Sequence, residues 1–289
     1  MPPRHPLLLV AMSAVLFAVM AAATKMAAAR LSGAEIAMVR FAIMLVPLLV
    51  IPGVARRALD FRRTDLLFYR GFFGGTAVLL YFMAIAHIPL GLATLLNFSS
   101  PIFSVIFASI FLGERVDRRL LLPTAVALVG MVLATGGDAA PGELLDIGVW
   151  EAAGLASAVL AGAAVTAIRA ARRSEGSWSI YASFSLFGLL ATAPFGVAVF
   201  QPPSAREWVF LAVVGASSVA AQLLMTYAYR WVTNLQAGAT LQLTVVLALV
   251  FGALFLGDEL TRRQLSGCAL TIVGVVSVIR LYAPPRAAG

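Results

Sequence analysis

The side chains with potential for ligand chemistry are few, and most of them lie inside long apolar runs. Within the run from residue 90 to residue 112, Thr94, Asn97, Pro101 and Ser104 recur at helical spacing and would share one face. Proline removes one backbone donor, which frees a carbonyl near Asn97 for another partner. A polar, kinked face in an apolar helix predicts either a ligand-binding wall or a close contact with a second helix.

Further polar residues extend this candidate binding surface to other runs. Buried amides offer both donors and acceptors, which suits a zwitterionic ligand, while aromatic neighbours suit an apolar side chain. On one continuous helix Thr240, Gln242 and Thr244 cannot all point the same way, so we prefer Gln242. The predicted binding residues are Ser13, Phe17, Tyr81, Thr94, Asn97, Ser100, Pro101, Gln222 and Gln242.

Charged residues are rare inside the apolar runs and concentrate at their ends. Lys25 and Arg169 hold corresponding positions, so they are either a symmetric pair of gate charges or interfacial residues that reach toward water. Glu35 and Arg40 are predicted to be interfacial. Because acids are lacking in the middle of the runs, we expect no buried carboxylate relay, and facilitated efflux or exchange fits better than proton coupling.

Residues for catalysis or cofactor binding are nearly lacking. His5 and His87 are the only histidines, and Cys268 is the only cysteine. We therefore predict no enzyme activity, no cofactor and no metal, with a membrane-embedded enzyme and a non-transporting scaffold as the alternatives. The short arginine clusters lie between apolar runs and form no continuous basic surface, so nucleic acid is not a predicted partner.

The apolar runs themselves indicate the class of protein. Hydrophobic residues make up 61% of the chain and charged residues only 12%, about half the charged share of soluble domains. Each run is long enough to cross a hydrocarbon core, where a helix satisfies its own backbone. We predict an all-α integral membrane protein in contact with lipid, with ten spans at 6–29, 34–53, 65–86, 90–112, 118–136, 147–168, 178–199, 207–229, 235–256 and 262–281.

A repeated nine-residue stretch divides the chain in two. FLGERVDRR at 111–119 and FLGDELTRR at 255–263 lie 144 residues apart, and the same offset aligns every predicted span with another. The prediction is a five-helix repeat at 1–144 and a second at 145–289, which is inverted because five is odd. Inverted repeats are typical of alternating access around a midplane site. A static scaffold and a channel are the alternatives.

The distribution of arginines predicts the orientation in the membrane. Most loop arginines, such as Arg62, Arg118 and Arg172, fall on the same side as the N-terminus. The positive-inside rule assigns that side to the cytoplasm. Both termini are therefore predicted to be cytoplasmic.

The repeated stretches also carry a family resemblance. FLGER and FLGDE, together with Gly130 and Gly274 in the fifth and tenth spans, resemble the EamA branch of the drug/metabolite transporter superfamily. LLNFSSPIF at 95–103 is similar to the fourth helix of bacterial aromatic amino-acid exporters, from which Ser99 and Ser100 depart. The resemblance implies a bacterial inner-membrane exporter of small metabolites, such as neutral or aromatic amino acids, that functions as a monomer. Another metabolite or a drug-like compound is the alternative substrate.

Overall fold

Helices make up nearly all of the chain that the structure describes. The computed structural model describes residues 5–114, 117–135, 148–257 and 261–281, and no strand occurs within these ranges. A 3-10 turn at Arg118–Leu120 precedes α7, and a π turn at Gly252–Leu256 follows α12. The helices are α1 (Pro6–Ala27), α2 (Gly33–Val50), α3 (Val54–Ala58), α4 (Thr64–His87), α5 (Leu90–Asn97), α6 (Ser100–Leu112), α7 (Leu121–Thr135), α8 (Val149–Ala171), α9 (Ser177–Ala198), α10 (Ala205–Ala228), α11 (Asn234–Leu241), α12 (Leu243–Phe251) and α13 (Arg262–Arg280).

The surface of the bundle is apolar. In the described ranges, nine helical segments are long and apolar enough to cross a membrane, and the remaining predicted span corresponds to the fifteen residues of α7. Large apolar side chains point outward, including Leu49, Phe111 and Leu122, each at least 74% exposed. Lipid suits such a surface and water does not. The chain is an all-α integral membrane protein, as its composition predicts.

The predicted span 90–112 is broken rather than continuous. It divides into α5 and α6 at Phe98 and Ser99. Pro101 therefore lies in the first turn of α6, where a missing backbone N–H leaves no hydrogen bond unmade. The proline starts a new helix here, whereas the sequence predicted that it bends an existing one.

The predicted span 235–256 is broken in the same way at Gln242. The backbone N–H of Gln242 donates to Ala239 over 3.3 Å instead of to Gly238, its usual helical partner. The Gln242 side chain contacts the Gly238 carbonyl at 3.4 Å and so competes with the helix for it. The two breaks are equivalent in the repeat, because Phe98 and Gln242 are 144 residues apart.

The repeated FLG ends a helical segment in each half. Gly113 follows α6 with a φ of 63°, and Gly257 follows the π turn with a φ of 77°. This left-handed backbone conformation strains any residue with a Cβ atom, and glycine adopts it freely. A shared chain reversal therefore accounts for the glycine in both copies.

Helix contacts also recur between equivalent elements. α1 packs along α10 and α4 packs along α8, and these two pairs correspond under the offset of 144 residues. α7 and α13 pack on each other, and a methyl group on Gly130 or Gly274 would overlap the backbone of the partner helix. The boundary between residues 144 and 145 lies outside the described residues, so the repeats at 1–144 and 145–289 stay a prediction.

Candidate functional site

The two helix breaks meet in the core of the protein. Gln242 is fully buried, and its amide nitrogen donates to the Phe98 carbonyl over 2.9 Å. The amide oxygen of Gln242 is buried without a hydrogen-bond partner. An unmet buried acceptor costs about 1–3 kcal/mol unless a ligand or water supplies the donor. The breaks therefore present an acceptor that suits an N–H or O–H group of a ligand.

Aromatic side chains surround this point. The Phe98 ring meets Phe17 of α1 edge-on at 6.5 Å and Tyr81 of α4 at 6.4 Å between ring centroids. The Tyr81 hydroxyl lies 3.1 Å from the Thr94 hydroxyl, which itself donates to the Leu90 carbonyl. These contacts bring four of the predicted residues together and add Phe98, which the prediction left out. We call Phe17, Tyr81, Thr94, Phe98 and Gln242 the central group.

Asn97 lies next to the central group and contacts another helix. Its amide donates to the Ser157 hydroxyl of α8 over 2.9 Å, and Ser157 donates to the Gly154 carbonyl. Ser13 is equivalent to Ser157 in the repeat, yet its buried hydroxyl has no partner. Asn97 thus takes part in a helix contact, whereas Ser13 keeps a hydroxyl available in the core.

The other predicted binding residues lie in different surroundings. Pro101 is buried against Gly238 of α11, and Ser100 is half-buried in the first turn of α6. Gln222 is buried too, but its amide donates along its own helix to Thr226 over 3.0 Å. Among the contacts of the described residues, none joins Gln222 to the central group.

Thr240, Gln242 and Thr244, which we expect not to point the same way on one continuous helix, all lie in the interior. All three side chains are fully buried. The helix breaks at Gln242, so α12 does not continue the rotation of α11. Thr244 then reaches the Ala14 carbonyl of α1 over 3.2 Å.

Lys25 and Arg169 donate hydrogen bonds to the C-terminal ends of two equivalent helices, α4 and α10. Lys25 donates to the Ile85 carbonyl over 2.8 Å, and Arg169 donates to the Tyr229 carbonyl over 3.0 Å. Both carbonyls lie at helix C-termini, where a cation is favourable. Arg169 also forms a salt bridge of 2.7 Å with Glu114. Their role as gate charges stays a prediction.

Three charged side chains within the predicted spans are buried in the protein. Glu35 and Arg40, predicted at the interface, are 0% and 2% exposed, and Arg70 is 3% exposed. Arg40 lies inside the sequence MVRFAIM and Arg70 inside FYRGFFGG, so each is surrounded by apolar neighbours in the chain. An arginine within an apolar run was the available signal, since a membrane helix rarely carries one without a specific role.

The ring of Phe184 in α9 lies against both arginines. The distance from guanidinium carbon to ring centroid is 5.4 Å for Arg40 and 3.7 Å for Arg70. Arg40 Nε donates to the Ser218 hydroxyl over 2.7 Å, whereas Arg40 Nη1 and Arg70 Nε are buried without a partner. No salt bridge within the described ranges includes either side chain. We call Arg40 and Arg70 the buried arginine pair.

A polar cavity of about 510 Å³ opens at the arginine-rich end of the bundle, where α1 begins and α8 ends. Glu175 accepts hydrogen bonds there from the backbone N–H groups of Arg62 and Arg63. Burial lowers the pKa of Arg172. In the described ranges no cluster of His, Cys, Asp or Glu could hold a metal ion. The cavity is lined by Asp60, Arg62, Arg172, Arg173, Ser174, Glu175, Gly176, Ser177, Ser179 and Arg230.

Comparison with known families decides the class of protein. The model of the EamA-like transporter family matches the chain twice, at residues 5–136 and 148–280. The chain belongs to the EamA-like transporter family. It is therefore a multi-pass membrane transporter of small metabolites rather than an enzyme, as the resemblance implied.

The names of relatives of this EamA-like transporter give different substrates. The pseudopaline exporter CntI of Pseudomonas aeruginosa is 30% identical over 278 residues, 96% of each chain. A probable terminal-alkyne amino-acid exporter of Streptantibioticus cattleyicolor is 30% identical over 67% of this chain and 65% of its own. A riboflavin transporter of Brucella anthropi is 28% identical over 65% of this chain and 66% of its own. These names agree on transport and disagree on the substrate.

A solved structure has the same fold. It superposes with a TM-score of 0.73 over 93% of this chain and 94% of its own, at 20% sequence identity. At this identity the likeness concerns the fold alone.

Proposed function

We propose that this EamA-like transporter exports amino acids, or close derivatives of them, that carry neutral or aromatic side chains. The observation that carries the proposal is the meeting of the two helix breaks, where Gln242 donates to the Phe98 carbonyl and keeps its own oxygen unpaired. The oxygen suits an ammonium or amide N–H of the ligand. The rings of Phe17, Tyr81 and Phe98 suit its side chain.

The proposed mechanism is alternating access between two inverted repeats. The repeats are residues 1–144 and 145–289, and each contributes one helix break to the central group. Lys25 and Arg169 serve as gate charges at opposite ends, because each ties the end of one helix to another helix. Ser13, Asn97, Ser100, Pro101 and Gln222 complete the surface that the ligand contacts as the breaks move.

We further propose that both termini face the cytoplasm of a bacterium and that one copy in lipid is sufficient for transport. Most loop arginines lie on the side of the membrane where α1 begins, and the positive-inside rule assigns that side to the cytoplasm. Accessibility labelling of single cysteines added near residues 5 and 281 tests it. Labelling of the two positions from different sides would contradict both the orientation and the number of crossings.

Transport by purified protein in liposomes tests the proposed substrate. Radiolabelled L-phenylalanine, L-leucine and L-alanine are offered under counterflow, without a pH gradient. Gln242→Leu and Phe98→Ala are expected to lower the rate about 5- to 30-fold, because each removes a ligand contact of about 1–2 kcal/mol. Gln201→Leu in an exposed loop and Phe195→Ala on the outer surface are the matched controls. Equal rates for the central variants and their controls would contradict the site.

A second measurement addresses the energy source. An imposed pH gradient alone should not drive strong uptake, because we expect no buried carboxylate relay. Strong proton-driven uptake would show that coupling is present and would direct attention to Glu35, which is buried in α2.

A further inference from the structure

Arg40 and Arg70 place two positive charges in the interior of a membrane protein. Burial of a charge is costly unless an opposite charge and hydrogen-bond acceptors replace water. The Phe184 ring provides a partial substitute through its π face. It supplies no negative charge, and it leaves Arg40 Nη1 and Arg70 Nε without acceptors.

The geometry of the pair suits an anion with two acidic groups. The two guanidinium carbons flank one ring, so they are no more than about 9 Å apart. A guanidinium binds a carboxylate through two parallel N–H groups, and Arg is preferred over Lys wherever such recognition occurs. A zwitterion adds no net charge and would leave the two positive charges unbalanced, whereas a dianion neutralises them.

We propose that the buried arginine pair binds the carboxylates of an anionic substrate, an amino-acid derivative with an apolar or aromatic side chain and a second acidic group. The proposal rests on the proposed transport function and narrows its substrate class. Arg40 Nε already donates to the Ser218 hydroxyl, and this bond fixes the direction of that guanidinium. Arg40 Nη1 and Arg70 Nε are buried without a partner and are available as donors to the ligand.

The pair is adjacent to the central group. The Arg40 guanidinium lies 5.7 Å from the centroid of the Phe82 ring, and Phe82 packs edge-on against Tyr81 at 5.9 Å. The Phe82 ring therefore separates Arg40 from Tyr81. The proposed ligand would place its side chain near Tyr81 and its acidic groups near the arginines.

The cavity at the arginine-rich end lies at the end of α4, the helix that carries Arg70. Its lining includes Arg62 just before α4, Ser179 on α9 and Arg230 just after α10. Arg70 lies on α4, six residues beyond its first residue and therefore about 9 Å into the bundle. A cationic cleft raises the local concentration of anions. The cavity would thus collect an anion at the ends of helices that lead to the pair.

A matched series of probes separates charge from shape. N-acetyl-L-phenylalaninamide is neutral, N-acetyl-L-phenylalanine carries one carboxylate, and N-succinyl-L-phenylalanine carries two. Each is radiolabelled and measured for binding to purified protein in detergent and for counterflow in phosphatidylcholine liposomes. We expect affinity to rise with each carboxylate, roughly tenfold or more per group, as for hydrogen bonds to charged groups.

Substitution of the arginines tests the assignment. Arg40→Gln and Arg70→Gln should each remove most of the preference for the dianion over the neutral probe. Arg40→Lys and Arg70→Lys keep the charge, preserve the interior and lose the paired N–H groups, so an intermediate loss is expected even if the Gln variants fail to fold. Arg206→Gln, at an exposed position, is the control and should behave as the unsubstituted protein.

The outcomes are distinguishable. If the unsubstituted protein binds the three probes equally, or if the Lys and Gln variants keep its charge preference, the proposal is overturned. If phosphatidylglycerol vesicles stabilise the protein through the pair and the soluble anions do not, a lipid headgroup is the ligand and the substrate assignment is overturned. If L-phenylalanine is transported and the three probes show no charge preference, only this inference is overturned. If no probe is transported, the proposed function is overturned as well.

Discussion

The two halves of the protein agree at their helix ends and differ at their helix breaks. Lys25 and Arg169 bond to the equivalent carbonyls of Ile85 and Tyr229, and Gly113 and Gly257 reverse the chain at equivalent points. The breaks lie at equivalent positions but carry different side chains, because Leu241 stands where the first half has Asn97.

That substitution changes the hydrogen bonds around the central group. Asn97 donates to Ser157, whereas the equivalent Ser13 has a buried hydroxyl without a partner. Polar groups are conserved between the halves where they satisfy backbone, which both copies need.

The largest expected effect concerns the contact between α7 and α13, where two equivalent glycines each pack on the backbone of the partner helix. Gly130→Val and Gly274→Val should each destabilise the protein by at least about 3 kcal/mol, because the added side chain meets backbone that cannot rotate away. Thermal unfolding in detergent and recovery of monodisperse protein measure the loss. Val129→Leu, at a 53% exposed neighbour, is the control. A stable, monodisperse Gly274→Val would argue that α7 and α13 separate easily.

A smaller effect is expected at the salt bridge between Arg169 and Glu114, which links the two halves. Arg169→Met should cost about 2 kcal/mol, because it leaves Glu114 and the Tyr229 carbonyl without their donor at a site where both charged side chains are less than 20% exposed. The double variant Arg169→Met, Glu114→Gln should recover part of this cost in a double-mutant cycle. Additive effects of the two substitutions would mean that the bridge contributes nothing measurable.

The next smaller effect is expected at the hydrogen bond between Asn97 and Ser157, which has no equivalent in the other half. Asn97→Leu copies residue 241 into the first half and should cost about 1 kcal/mol, since it removes the donor to Ser157 from a half-buried site. Ser157→Ala should cost a similar amount, because both variants break the same bond. Unfolding midpoints of the two single variants and of the pair provide the measurement. A cost for the double variant equal to the sum of the singles would contradict a direct bond.

The smallest effect is expected at Ser13. Ser13→Ala should change stability by less than about 0.5 kcal/mol or raise it slightly, because the variant removes a buried hydroxyl that has no partner. The matched measurement is Ser157→Ala, at the equivalent position. A loss at Ser13 as large as that at Ser157 would show that the Ser13 hydroxyl has a partner after all, and would remove the asymmetry.

Much of the fold follows from local sequence. Composition and run length are sufficient for a membrane helix, because hydrocarbon leaves a chain few other ways to satisfy its backbone. Glycine in FLG implies a chain reversal whatever surrounds it, since φ is a local property. The predicted binding residues Phe17, Tyr81, Thr94 and Gln242 do assemble, since inward-facing polar and aromatic residues at helical spacing tend to meet in a bundle.

The errors arise where one helix responds to another. The helix breaks at Gln242, where the side-chain amide donates to the carbonyl of Phe98, a residue 144 positions away. The position of Arg40 near the start of a run carries no information about the Phe184 ring and the Ser218 hydroxyl that contact it.

The sequence by itself determined that the chain crosses a membrane as helices, because the hydropathy of a run of about 20 residues depends only on the residues in that run. Only the tertiary structure decided which polar groups find partners inside. Whether a buried charge or amide is satisfied depends on atoms that distant segments bring within about 3 Å, and hydropathy carries no record of them. The unpaired Gln242 oxygen and the buried arginine pair belong to this second kind.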